Sequence, residues 1–369
     1  MKFRCEKSVL IEMVNATLHA ITSKSTIPAL EGILIEAHDQ LVLTGFDLEV
    51  GIRCKNYAEI EERGSVVING RLFSDIIRKL PDDVLTVSCD EKLYVTISCG
   101  VSVFNLIGMS PADYPELPSV QKERYTTLPQ NTLKKIIQGT IFSASENDSR
   151  PIITGCLFKI TGEELVVVAL DSFRLAMRTE QVQRGDSTKN LSFVVPAKAL
   201  REVDRFLGDS DDNINISISR RNICFEFGNT VLTCRLLEGE FLNYGNAIPE
   251  SCTKTVKIRT SDFITALERV SLITNDKLKN FVKCEFESDK LVLTCTTSIG
   301  QAYDECRVQD VEGGPLTIGF NSRYLLDAMR ACRDEEVLVE LNSPNAPAII
   351  KPLEGDAYLY LILPVRLKG

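Results

Sequence analysis

Leu41-Val42-Leu43-Thr44, Leu165-Val166-Val167-Val168 and Leu291-Val292-Leu293-Thr294 are one strand segment met three times, 124 and 126 residues apart. Each follows an amphipathic helix and precedes further strands and a second helix. That second helix is entered at Arg71, Lys198 and Arg323, spaced 127 and 125 residues. Two independent landmarks share one period. A period near 125 exceeds the roughly 20–50 residues of solenoid repeats and matches a whole domain. The order within each copy is strand, helix, several strands, strand, helix, several strands, so each copy is itself a doubled unit. Two helices cannot cover both faces of so many strands and should pack together on one side. The fold class is α+β, with expected domains 1–122, 123–250 and 251–369. Pro111, Pro115 and Pro118 mark the first joint and Pro249 the second.

Apolar stripes with one polar face define the helices. The first carries Val9, Leu10, Met13, Val14 and Leu18; the second, Leu72, Phe73, Ile76, Ile77 and Leu80; the third, Leu133, Ile136, Ile137 and Ile141. Ser8, Asn131 and Ser261 occupy expected N-cap positions. Short β-branched runs such as Leu93–Ile97, Asn215–Ile218 and Val337–Glu340 read as strands.

The 369 residues are 44% hydrophobic and 25% charged, an ordinary globular composition. No apolar run approaches the ~18 residues of a membrane span, and Met1-Lys2-Phe3-Arg4-Cys5-Glu6 lacks an apolar signal region. A cytoplasmic protein without membrane contact is expected. None of the 12 cysteines forms a Cys-x-x-Cys pair. They read as small buried hydrophobes. His19 and His38 have no cysteine at ligand spacing, so no metal site is expected.

The net charge of −9 argues at first against nucleic acid, but its distribution does not. The six expected helices (8–19, 71–80, 131–143, 198–207, 261–273 and 322–333) hold twelve basic and seven acidic residues. They carry +5 and everything else −14. Helices also accommodate Lys and Arg well in general, so this segregation admits a bland reading.

No catalytic signature is present: no phosphate-binding loop, dinucleotide fingerprint, nucleophile elbow or zinc-protease motif. Two histidines leave little acid–base capacity near neutral pH. No catalytic residue, cofactor or metal is assigned. Two segments stand out, Asp171-Ser172-Phe173-Arg174-Leu175-Ala176 and Tyr360-Leu361-Ile362-Leu363-Pro364-Val365-Arg366-Leu367. Each reads either as a buried edge strand or as part of an apolar groove flanked by positive charge and suited to a short peptide.

The triplication, the opening Met1-Lys2-Phe3, Thr44-Gly45-Phe46-Asp47-Leu48-Glu49, the two segments above, Glu238-Gly239-Glu240-Phe241-Leu242-Asn243-Tyr244 and Asn321-Ser322-Arg323-Tyr324-Leu325 together resemble the bacterial DNA polymerase III β subunit, the sliding-clamp family. The match spans the whole chain in one register. The resemblance implies three tandem clamp domains per chain and a head-to-tail homodimer closed into a ring, helices inward and sheets outward. Such a processivity factor has no catalytic activity. It encircles duplex DNA without sequence preference. It tethers the clamp loader, the replicative polymerase and repair proteins through short Gln-led apolar peptides.

By the same resemblance the peptide pocket comprises Ile153, Leu170, Ser172, Phe173, Arg174, Leu175, Leu242, Asn246, Ala247, Leu361, Ile362, Leu363, Pro364, Val365 and Arg366, with Arg174 and Arg366 on its rim. Lys24, Arg71, Asn147, Arg150, Lys198 and Arg323 would face DNA. Phe104 and Leu106 of one chain would meet Leu272 and Ile273 of the other; apart from the resemblance those four are plain core candidates. The chain departs from the family pattern at Phe173, Asn246 and Ala247, at Pro151 and Ile152 where relatives carry aromatics, and at the terminal Lys368-Gly369. Two other classes stay open: an interaction scaffold that never meets DNA, and an enzyme with an unrecognised carboxylate site.

Overall fold

The computed structural model describes residues 1–118, 120, 124–147, 149–182, 190–274 and 281–367. The expected boundary at 122/123 and the Lys368-Gly369 extension lie outside them.

The first repeat runs β1 (Lys2–Glu6), α1 (Lys7–Leu18), β2 (Gly32–Ala37), β3 (Leu41–Phe46), β4 (Val50–Asn56), β5 (Glu59–Glu62), β6 (Gly64–Asn69), α2 (Gly70–Lys79), β7 (Val84–Cys89), β8 (Tyr94–Cys99) and β9 (Ser102–Ile107). The second runs β10 (Arg124–Pro129), α3 (Gln130–Gln138), β11 (Gly155–Thr161), β12 (Glu164–Leu170), β13 (Arg174–Gln181), β14 (Leu191–Pro196), α4 (Ala197–Phe206), β15 (Asn213–Ile218), β16 (Asn222–Phe227) and β17 (Thr230–Arg235). The third runs β18 (Lys254–Arg259), α5 (Thr260–Ser271), β19 (Phe281–Phe286), β20 (Lys290–Thr297), β21 (Gly300–Glu312), β22 (Leu316–Asn321), α6 (Ser322–Ala331), β23 (Glu336–Leu341), β24 (Ala348–Pro352) and β25 (Tyr358–Ile362). The threefold strand–helix order is the one expected. The observed helices again carry twelve basic and seven acidic residues, net +5.

The helix starts depart from expectation. Each first helix leaves its strand without a loop, so Ser8, Asn131 and Ser261 fall inside the first turn rather than at the cap. The side-chain caps belong instead to Asn69 on α2, whose Oδ1 accepts from Leu72 N at 3.1 Å, and Asn321 on α6, which accepts from Arg323 N at 3.0 Å. The third helix was expected to reach residue 143 but ends at Gln138. Gly139 follows, and a Cβ there would come within 2.9 Å of the Lys135 carbonyl. The chain then resumes as a 3-10 turn over Ile141–Ser143.

Two compact units hold the described residues, and the division passes through the second repeat. Unit 1 contains residues 1–118, 120, 124–130 and 205–236. Its first sheet is ordered β5-β1-β7-β8-β9 and its second β10-β15-β16-β17-β4-β3-β2-β6. Antiparallel pairing of β17 with β4 (Leu232 opposite Ile52, Cys234 opposite Val50) therefore splices the end of the second repeat onto the first. α1 and α2 pack on each other and on these strands. Their stripes bury Leu10, Met13 and Val14 with Phe73, Ile76 and Ile77. Each such side chain contributes roughly 1.5–3 kcal/mol by burial.

Unit 2 contains residues 131–147, 149–182, 190–204, 237–274 and 281–367. One twelve-stranded sheet runs through it, β14-β11-β12-β13-β25-β24-β23-β18-β21-β20-β19-β22. Here β13 pairs with β25 (Leu175 opposite Leu361, Arg174 opposite Ile362) and splices the second repeat onto the third. α5 and α6 pack together, with Phe263, Leu267, Leu325 and Met329 buried. Alternation sends Tyr360 and Ile362 of β25 into this helix-side core and Leu361 into a separate cluster on the other face.

None of the 12 cysteines, all among the described residues, forms a disulfide, and eleven are buried, Cys252 being half-buried. They act as the small hydrophobes expected; burial pushes the Cys156 and Cys332 thiols up to about 12.

Candidate functional site

The face of the twelve-stranded sheet opposite α5 and α6 gathers the expected pocket. β11, β12, β13 and β25 present Leu157, Val168, Leu170, Leu175 and Leu361 at alternate positions. Ile153 and Val194 complete this buried cluster, and Phe241, Tyr244 and Ile248 of the segment after β17 pack against it. Burial pushes the Tyr244 hydroxyl above its usual range. Around this floor stand exposed apolar groups: Phe173 at 54%, Leu242 at 41% and Leu363 at 39%. Ser172, Asn246, Ala247 and Arg366 are exposed, and Pro364 and Val365 half-buried. A buried apolar floor with an exposed apolar lip suits the side chains of an extended peptide.

The turn that carries Phe173 is tightly built. Asp171 Oδ1 accepts from Phe173 N at 2.7 Å and from Arg174 N at 3.0 Å. The chain's last strand is tied to it, with Leu363 N donating to the Phe173 carbonyl at 2.8 Å. Val365 N then donates to Gly319 O, which seats the terminus against β22.

Two expected members take other places. Ile362 faces the helix-side core rather than the pocket. Arg174 is not a charged rim. Its side chain is only 10% exposed and pairs with Asp171 at 3.1 Å and with Asp327 of α6 at 2.7 Å. Its guanidinium lies 4.3 Å from the centre of the Tyr324 ring and 5.8 Å from that of Phe142. With two carboxylates and two rings around it, Arg174 holds the Asp171 turn onto α6. Tyr324 also stacks on Phe173, 6.1 Å between centroids. It is a pocket-supporting residue that sequence reasoning left out, as are Leu157, Val168, Phe241 and Tyr244. Leu157 and Val168 sit in the near-continuous apolar runs of β11 and β12, where no alternation marks which face a residue takes.

The expected DNA-facing residues are all exposed. Arg71, Lys198 and Arg323 recur at the second residue of α2, α4 and α6. A cation at a helix N-terminus opposes the helix dipole. Repeating it three times makes sense where an anion is to be met, because a basic side chain there favours phosphate. Lys24 lies in the loop after α1. Asn147 and Arg150 lie before the 3-10 turn Pro151–Thr154, and Asn147 Oδ1 accepts from Ser149 N at 2.9 Å.

The four joint residues are not core. Phe104 on β9 is 38% exposed and Leu272, closing α5, 83%. Leu106 and Ile273 are half-buried. β9 is an edge strand, and residues 300–307 of β21 pair only with β20 among the described strands.

Family models match the chain almost from end to end: DNA polymerase III beta subunit N-terminal domain over residues 1–118, central domain over 127–243 and C-terminal domain over 246–366. The chain belongs to the DNA polymerase III beta subunit family. Three tandem clamp domains, each with two helices and antiparallel sheets, follow from that membership. It is 37% identical to a beta sliding clamp of Staphylococcus epidermidis and 36% to one of Staphylococcus aureus, with 99% of each chain covered. Its structure resembles the Bacillus subtilis DNA polymerase sliding clamp at TM-score 0.96 and 30% identity, over 100% of both chains. A Bartonella birtlesii sliding clamp bound to griselimycin resembles it at TM-score 0.93 and 29% identity, again over 100% of both. Among the described residues no group of three or more His, Cys, Asp or Glu side chains could hold a metal. No described helix is long and apolar enough to cross a membrane.

Proposed function

We propose that two copies of the chain close head to tail around duplex DNA and tether DNA-acting proteins without chemistry of their own. One observation carries the ring. The β17–β4 and β25–β13 joints are the same splice made twice, a repeat's last strand added to the fourth strand of a repeat. Among the described strands the remaining last strand, β9, and the remaining acceptor, β21, lack that neighbour. Transferring the register of the two existing splices sets Phe104 opposite Ala302 of a second copy and Val103 opposite Tyr303. Two such pairings close a dimer, with Phe104 and Leu106 near Leu272 and Ile273. The divisions 1–122, 123–250 and 251–369 follow the same logic, each starting a new repeat.

The exposed cations Arg71, Lys198 and Arg323, with Lys24, Arg150 and the polar Asn147, supply phosphate attraction without base readout, as sliding requires. Retention then comes from topology. The floor of Leu170, Leu175 and Leu361 with the lip of Phe173, Leu242 and Leu363 takes short Gln-led apolar peptides of the clamp loader, the replicative polymerase and repair proteins in turn.

The deciding experiment is retention of loaded protein on nicked circular DNA before and after linearisation. Loss on linearisation is expected; retention on the linear form would refute encirclement. Separately, Phe173→Asp with Leu363→Asp should weaken Gln-led peptide binding by roughly 30-fold or more, since both side chains are exposed and removable without unfolding. Unchanged affinity would refute the pocket.

A further inference from the structure

The two splices within the chain share a backbone, and the free β21 edge carries the same device. Asp171 Oδ1 accepts from Phe173 N ahead of β13, and Asp47 Oδ1 accepts from Glu49 N at 3.0 Å and Val50 N at 2.7 Å ahead of β4. Ahead of β21, Thr297 Oγ1 accepts from Ile299 N at 3.3 Å. The added strand then donates to each turn, Leu363 N to the Phe173 carbonyl at 2.8 Å and Arg235 N to the Glu49 carbonyl at 3.3 Å. The same offsets set Ile107 of one copy opposite Ile299 of a second, Asn105 opposite Gln301 and Val103 opposite Tyr303. Rows two residues apart share one face. At the β25–β13 splice these rows read Leu363–Phe173, Leu361–Leu175 and Leu359–Met177. At the β17–β4 splice they read Arg235–Glu49, Thr233–Gly51 and Val231–Arg53. One backbone arrangement thus carries three different side-chain codes.

The third code is written on bare surface. Ile107 is 79% exposed, Ile299 72%, Tyr303 60% and Val103 58%. β9 contains no charged residue, and neither do residues 299–303. A free edge strand is ordinarily guarded by charge, as β5 at the other edge of the same sheet is by Glu59, Glu61 and Glu62. Between the apolar rows lies an amide row. Thr96 Oγ1 donates to Asn105 Oδ1 at 3.0 Å. The N–H groups of the Asn105 amide and the side chain of Gln301 have no hydrogen-bond partner among the described residues.

We propose that Asn105 of one copy and Gln301 of a second bond through their side-chain amides and form the specificity pair of the joint, with Ile107–Ile299 and Val103–Tyr303 supplying apolar contact on either side. The partner is a second copy of this chain, so the inference rests on the ring reading. Only this alignment sets apolar against apolar and amide against amide. Slipping by two residues puts Asn105 against Ile299 or Tyr303. Slipping by one turns Phe104 and Leu106 to the wrong face. β9 laid on β13 would put Asn105 against Leu175, and β25 laid on β21 would put Leu361 against Gln301. Each alternative strands an amide against an apolar side chain, the device by which one core asparagine fixes the register of a coiled coil.

The test takes two measurements on the full-length protein. The first is dimer dissociation, followed by sedimentation on dilution. Asn105→Leu and Gln301→Leu should each raise the dissociation constant at least about tenfold, because a ring has two joints and each is left with an unpaired amide. The exchange Asn105→Gln with Gln301→Asn keeps both amides and should lose less than either. The second measurement is register, read from disulfides trapped between copies carrying Val103→Cys and either Tyr303→Cys or Glu305→Cys. Directly opposed Cα atoms, about 5.5 Å apart, lie within disulfide range. The otherwise unaltered protein should trap position 103 with 303 and not with 305. Adding Asn105→Leu with Gln301→Leu should raise trapping at 305 by about fivefold or more, since no amide then penalises the slipped register. Single leucine variants that dimerise like the parent, an exchange variant weaker than both, or a double leucine variant still trapped at 303 alone would each overturn the proposal. A parent that dimerises but traps at neither position would refute the β9–β21 contact and this pair with it. A parent that stays monomeric would refute the ring reading itself.

Discussion

The turns Asp47–Val50 and Asp171–Arg174 share their backbone hydrogen bonds and their strand splice, yet they end in different surfaces. In the second, Phe173, Leu363 and a filled floor make an apolar site, and the buried Arg174 fastens the turn to α6. In the first, Leu48 takes the place of Ser172, Glu49 of Phe173, Val50 of Arg174 and Arg235 of Leu363, leaving an open, mixed-charge surface. The difference shows that the clamp repeat specifies a scaffold through backbone pairing. The side chains two or three residues beyond the pairing decide what each joint can bind.

A third version of the joint should exist between copies, and breaking it gives the largest effect. Phe104→Asp with Leu272→Asp puts charges on both sides of the proposed contact. The dimer dissociation constant should rise at least about 100-fold, given the cost of charging a desolvated anchor. Each monomer should keep its melting temperature, because both positions are exposed in the single chain. Sedimentation over a dilution series measures it. An unchanged dimer would mean that the third joint is not built like the other two.

The contrast in how the turns are anchored sets the next effect. Arg174→Ala strands Asp171 and Asp327 in a half-buried site and removes the stacking on Tyr324. About 3 kcal/mol of stability should be lost. Arg53→Ala breaks the Arg53–Glu36 pair of unit 1, 3.0 Å long but with Arg53 49% exposed, and should cost under about 1 kcal/mol. Chemical denaturation of both variants tests the ranking, and equal losses would mean that the Arg174 cluster is as solvated as a surface pair.

The repeat period and the strand–helix order were legible because they are written as recurring landmarks along the chain, whereas the apolar floor gathers side chains from four strands and was legible only in part. The recurrence of Arg71, Lys198 and Arg323 was legible too. The role of Arg174 was not, because Asp327 and Tyr324 lie some 150 residues away and nothing local distinguishes a paired arginine from an exposed one. Ile362 lies within the run the resemblance assigns to the pocket, but strand alternation sends it to the opposite face from Leu361. The caps Asn69 and Asn321 stand two residues before Arg71 and Arg323, at the end of the preceding strand, where a strand residue and a cap look alike in sequence.

The β21 edge, the unpaired member of the comparison, should respond to acid. Hydrogen bonding to Arg269 holds the Asp304 carboxyl below its ordinary value. A carboxylate with a depressed folded-state pKa contributes stability that is complete above its unfolded pKa. That contribution is lost as pH falls through the folded value. Ordering of β21 should therefore weaken as the pH drops below about 4. Asp304→Asn should flatten that limb of a melting-temperature profile taken between pH 3 and 6. An unaltered profile would place the acid response elsewhere.

The smallest effect separates the two floors themselves. Val168 fills its position in unit 2, whereas at the same position in unit 1 Thr44 holds a buried hydroxyl without a hydrogen-bond partner among the described residues. Thr44→Val removes a polar group that makes no hydrogen bond and restores the unit 2 chemistry at nearly equal volume. Burying an unsatisfied hydroxyl costs roughly 1–3 kcal/mol, so the variant should gain about 1 kcal/mol in a urea titration. Loss of stability would mean that an ordered water already satisfies Thr44 Oγ1.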